Sequence, residues 1–148
     1  MSALTGFRVV ELAESVAGEY CGKLLADFGA EVIKVERPGG SPTRAMAPIV
    51  GEGGPECSAV FAYLNTNKRS VVIDGDGMNA LIASADAVIG EQSVAEIAGD
   101  HPDTVFCAVT PYGVQAPAEL HNAASLNVFH ASGWGFHTPA MPIQPNRR

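Results

Sequence analysis

Between Val71 and Asn146 the chain has no lysine and no arginine, while that stretch carries Asp74, Asp76, Asp86, Glu91, Glu96, Asp100, Asp103 and Glu119. With a formal net charge of −7, nucleic acid is excluded as a ligand, because its phosphates need a surplus of Lys and Arg to release their counterions. Any anionic ligand must be held by residues 1–69, by backbone amides, or by another chain. No apolar run reaches the roughly 18 residues that span a bilayer, so no membrane segment is expected. The opening MSALTGFRVVELAE lacks a basic stretch followed by a long apolar core, so no secretory signal is expected either. Three widely spaced cysteines, Cys21, Cys57 and Cys107, give neither a disulfide framework nor a CxxC metal site. A reducing cytoplasm is the expected compartment. The four histidines show no HxxxH or HExxH spacing, so no metal is expected; GxSxG and GxGxxG are absent as well.

What the chain does have is the composition of a packed domain: 148 residues, 47% hydrophobic and 17% charged. That length suits one domain with a core of its own. Short β-branched runs predict strands near 7–12, 30–35, 70–73, 86–89 and 104–109. Between the first two, Cys21, Leu24, Leu25 and Phe28 recur at helical spacing and predict a helix over 18–28 with that stripe facing the core. Gly29 stands where a helix C′ residue belongs. Residues 38–57 read as a long Gly/Pro loop, 61–68 as helical or irregular, and 78–84 and 93–98 as short helices. Asn122 to Trp134 reads as a further helix, and 138–148 as a Pro-rich tail outside the domain of residues 1–137. Alternating strands and helices predict a Rossmann-like α/β fold, a mainly parallel sheet flanked by helices.

In such a sheet the ligand sits at the carboxyl ends of the strands, against the turn that opens the first helix. Here that turn is AESVAG, which directs attention to Ser15, Val16, Ala17 and Gly18. Small residues let a ligand approach the backbone, although packing alone also selects them. Glu36 closes the second strand, where a dinucleotide-binding domain keeps an acid for the ribose; without GxGxxG that reading is the minor one. Cys107 lies within an apolar strand and is expected in the core. Asn65-Thr66-Asn67-Lys68-Arg69 reads as a charged turn before a strand.

These pieces, taken in order, resemble a known family. LTGFRVVELAESVAGEYCGKLLADFGAEVIKVERPGG is similar to the opening of family III CoA-transferases, the CaiB/BaiF group. Lys68-Arg69-Ser70 within NTNKRSVVID, then Ala85-Asp86-Ala87-Val88-Ile89, then Val109-Thr110-Pro111-Tyr112-Gly113 with Pro117, continue the likeness to about Pro139. The resemblance covers only the family's amino-terminal part and so implies a fold incomplete relative to the full one. It implies coenzyme A as substrate or ligand, held by Ser15, Val16 and Ala17 along the adenosine and by Arg37 and Lys68 near the phosphates. It also implies acyl-CoA or CoA as small-molecule partner, and either a homodimer or a partner chain that supplies the missing part. The resemblance implies either transfer of CoA between carboxylic acids or racemisation of 2-methylacyl-CoA thioesters; in the transferases an aspartate attacks the thioester, forming a mixed anhydride and releasing the CoA thiolate.

Ser125 occupies the position expected for that aspartate, and no Asp or Glu lies between Leu120 and Arg148. A serine cannot form the anhydride. The Arg-containing segment that ordinarily follows the fourth strand is replaced by Gly90-Glu91-Gln92-Ser93-Val94. The alternatives to a transferase domain are therefore a non-catalytic binding or assembly subunit and a truncated remnant.

Overall fold

The computed structural model describes residues 2–51, 58–73 and 77–137. The tail 138–148, residues 52–57 of the Gly/Pro loop and residues 74–76 lie outside the described residues. Five strands, β1 (Arg8–Glu11), β2 (Glu31–Glu36), β3 (Arg69–Val72), β4 (Ala87–Gly90) and β5 (Val105–Ala108), form one sheet in the order β3-β2-β1-β4-β5. Every pairing is parallel. The expected strands are all present within about two residues of their expected ends. The chain winds outward from β1 to β3, then crosses to β4 on the other side of β1, so the strand order reverses between β1 and β4.

Alternation along the strands sends side chains to two cores. Val9 and Val32 pack with Ala13, Ala26, Ala30 and Ile89 on the face that carries α1 (Val16–Asp27). Val10, Val35 and Val88 pack on the other with Ile82 of α3 (Gly77–Ala83) and Val94 of α4 (Val94–Ile97). The helix α2 (Ala59–Leu64) takes up residues 61–64 of the expected ambiguous segment 61–68 and is capped by the Ser58 hydroxyl, which accepts from the Phe61 N–H at 3.1 Å.

The predicted core face of α1 holds in half. Cys21 and Leu25 are half-buried and pack against the core, whereas Leu24 and Phe28 are exposed and the buried residues are Gly18, Glu19, Gly22, Lys23 and Ala26. The helix approaches the sheet through small residues four apart: a β-carbon at Gly18 would overlap that of Ala13. With the backbone so close to the sheet, Leu24 and Phe28 turn outward with Tyr20 and Val16. Gly29, at φ +93°, ends the helix as expected.

Cys107 is also not a core residue. It sits exposed on β5, an edge strand whose residues alternate between exposed and half-buried. Among the described residues no cluster of His, Cys, Asp and Glu is placed to hold a metal, and no helix is long and apolar enough to cross a membrane.

Residues 111–148 make a second compact unit after the sheet unit of 1–110. The expected helix over 122–134 is shorter: α5 spans Ser125–Ala131, Gly133 breaks it at φ +86°, and α6 spans Trp134–His137. Leu126, Phe129, Trp134 and Phe136 are exposed, whereas Val128 is half-buried.

Candidate functional site

The parallel order places the carboxyl ends of β1, β2 and β4 along one edge. There the β1–α1 turn carries Glu14, Ser15, Val16 and Ala17; β2 delivers Glu36 and Arg37; the turn after β4 delivers Glu91. Ser15 is the N-cap of α1, its hydroxyl accepting from the Gly18 N–H at 3.2 Å. Val16 and Ala17 are exposed. Arg37 reaches back across the turn, its Nε donating to Glu14 Oε1 at 2.6 Å and its Nη2 paired with Glu14 Oε2. The expected residues Ser15, Val16, Ala17 and Arg37 thus lie along one edge.

Lys68 is elsewhere. Its side chain is 1% exposed, and the ammonium donates to Glu11 Oε2 at 2.7 Å, the Glu19 carbonyl at 2.7 Å and Asn65 Oδ1 at 3.0 Å. Three acceptors use the three N–H bonds of an ammonium. Arg69 lies toward the opposite end of β2, paired with Glu31 at 2.9 Å beside Arg8.

Lys68 belongs to a buried quartet that the sequence reading missed. Glu11 and Lys34 are register partners on β1 and β2, their side chains 3.2 Å apart. Lys34 also meets Glu19 Oε1 of α1 at 2.9 Å and donates to the Ala13 carbonyl at 2.9 Å. Glu19 further accepts from Ser41, Thr43 and Asn65. Burial pushes the Glu11 carboxyl above the usual range, against the pull of Lys68 and Lys34. Burial also pushes Glu19 upward, but hydrogen bonds from Ser41, Lys34 and Asn65 outweigh it and hold it low. Burial lowers Lys68, against the pull of Glu11. Two acids and two bases leave the quartet neutral, so it locks α1 and the 65–68 turn onto β1 and β2 without a net buried charge. A signal was present: Glu11 interrupts the apolar run VVEL and Lys34 the run VIKV.

Glu36, the residue weighed for a ribose, is committed to the protein. It is buried and accepts from Arg44 Nε at 2.7 Å, Arg44 Nη2 at 2.8 Å, the Ser41 N–H at 2.8 Å and the Ser70 hydroxyl. The Arg44 hydrogen bond, working against burial and helped by Ser70 and Ser41, holds the carboxyl at about 2. With both oxygens taken, the ribose reading fails. Because the folded value lies below the ordinary 4.5, the pair stabilises the fold above that pH and loses its contribution as pH falls toward 2. Urea midpoints across that window should fall less steeply for Arg44→Ala than for the wild type, the difference amounting to on the order of 2 kcal/mol. Parallel curves would show that the pair contributes nothing.

All seven lysines and arginines among the described residues have a carboxylate partner. Of these, Arg37 is the exposed one at the carboxyl edge, so an anion arriving there exchanges with Glu14.

In the second unit, Ser125 is exposed and begins α5. His121, the base that a serine nucleophile would need on its own helix, lies before that helix starts, with its Nε2 2.8 Å from the Ala116 carbonyl. His130 packs edge-on against Phe129.

An all-parallel sheet with its order reversing beside a capped β1–α1 turn defines a Rossmann-like α/β domain. The family follows from comparison: residues 4–147 match the family model for CoA-transferase family III, and the chain belongs to that family. It is 33% identical over 141 residues to succinyl-CoA:mesaconate CoA-transferase of Haloarcula hispanica, covering 82% of this chain and 35% of that one. It is 37% identical over 134 residues to succinate–glutarate CoA-transferase of Agrobacterium fabrum, covering 77% and 34%. A CaiB/BaiF family protein from Brucella suis superposes with a TM-score of 0.78 at 28% identity, covering 99% of this chain and 43% of that one. The chain thus spans about a third of the length of these curated relatives and matches part of the full fold.

Proposed function

We propose that this chain is the CoA-binding amino-terminal part of a family III CoA-transferase, and that the nucleophilic carboxylate is supplied from outside these 148 residues. The observation that carries the reading is the family match over residues 4–147 combined with the carboxyl edge that gathers Ser15, Val16, Ala17 and Arg37. The adenosine lies along Ser15, Val16 and Ala17, where the turn is exposed and small. Arg37 meets the phosphates after leaving Glu14, and its planar fork suits either partner. Lys68 acts by holding the turn in place, since its donors are already used.

Catalysis needs a carboxylate where this chain offers Ser125. The exposed Leu126, Phe129, Trp134 and Phe136 fit a surface that other parts of the enzyme, or a second copy, would cover. A homodimer and a cytoplasmic setting complete the reading.

Calorimetry with CoA tests it. Arg37→Ala should weaken binding by about tenfold. Wild-type affinity should fall steeply with added salt, because the contact is exposed and screened. Equal affinity for wild type and variant would remove Arg37 from the site.

A further inference from the structure

The crevice between β1 and β4, where an α/β sheet ordinarily receives a phosphate at a helix N-terminus, holds a side chain of this chain. Glu91, from the turn after β4, accepts through Oε1 from the Glu14 N–H at 3.0 Å and the Ser15 N–H at 2.9 Å. The Gly18 N–H is taken by the Ser15 hydroxyl. Two amides that would cradle a phosphate are thus bonded to an internal anion, and the Glu14 carboxylate stands beside them on Arg37.

We infer that Glu91 is a specificity-determining residue: its carboxylate fills the anion position of the β1–α1 turn and keeps a ligand's diphosphate out of it. A diphosphate brought to those amides must displace one carboxylate and lie beside another, and like charges at such range repel. The turn can then receive only an uncharged part of a ligand, and the phosphates go to the Arg37 side. This deepens the CoA reading and rests on it only for the ligand's identity; the exclusion applies to any diphosphate.

Pyrophosphate is the probe, titrated into the ¹⁵N-labelled full chain and followed at the Glu14 and Ser15 amides. In the wild type those two resonances should stay still. In Glu91→Ala they should move and saturate, with binding at least roughly tenfold tighter than wild type. Glu91→Gln keeps the shape and an accepting oxygen but loses the charge, so it should fall between the two and remain folded if the alanine variant does not. Wild-type amides that respond as strongly as those of the variants would overturn the inference, as would folded variants that gain nothing. A parallel CoA titration separates the two proposals: variants that gain pyrophosphate binding in a chain that ignores CoA would sink the CoA reading and leave the role of Glu91 standing.

Discussion

Lys68→Ala should cost the fold about 3–5 kcal/mol at neutral pH, enough to remove much of the stability of an ordinary domain. Its ammonium ties three separate pieces of chain: Glu11 on β1, the Glu19 carbonyl inside α1, and Asn65 in the turn before β3. Alanine leaves the Glu11 carboxylate, itself 0% exposed, with Lys34 alone. The carboxyl can respond only by taking up a proton. Its folded pKa, already raised by burial, then rises further. A raised carboxyl pKa favours the fold below the unfolded value and withdraws that support as pH rises through the folded one. The loss should therefore be largest at pH 7 and shrink toward pH 4. Urea unfolding of both proteins at the two pH values reads this directly. A pH-independent loss below about 1 kcal/mol would show Lys68 to be an ordinary surface lysine.

Gly22→Ala should destabilise by about 2–3 kcal/mol, against the gain of up to about 1 kcal/mol that helix propensity alone would give. A β-carbon at residue 22 would overlap Glu11 Oε2, come within 2.9 Å of its Cδ and stand 3.3 Å from Lys68 Nζ. Neither charged group can retreat without breaking the pair. Gly99→Ala is the control, since a β-carbon there meets nothing within 4 Å. A stabilised Gly22→Ala protein would mean that α1 does not lie on the quartet.

Strand positions were legible because runs such as RVV and AVI are short, β-branched and buried on both faces in a parallel sheet. The turn before α1 and its glycine stop were legible from local chemistry. The face of α1 was legible in half. Hydrophobic periodicity pointed to Cys21, Leu24, Leu25 and Phe28, of which Cys21 and Leu25 pack on the core, whereas the contact distance to the sheet selected Gly18, Gly22 and Ala26. Buried charge was illegible for a related reason. Glu11, Glu19, Lys34 and Lys68 are far apart along the chain, and only strand register and helix packing bring them together. Lys68 therefore read as a charged turn, and its family position as a phosphate contact. Glu91 could be seen as a departure from the family pattern, but that it reaches the Ser15 amide depends on β4 lying beside β1. Cys107 was misplaced because an edge strand and a central strand look alike in sequence.

The division of labour between a CoA-binding domain and a nucleophile from elsewhere is tested most directly by mass spectrometry of the intact chain after incubation with succinyl-CoA and an acceptor acid. The chain should retain CoA noncovalently, carry no acyl group on Ser125 and leave the thioester untransferred. An acyl adduct on Ser125, or turnover of the thioester by the chain alone, would contradict it.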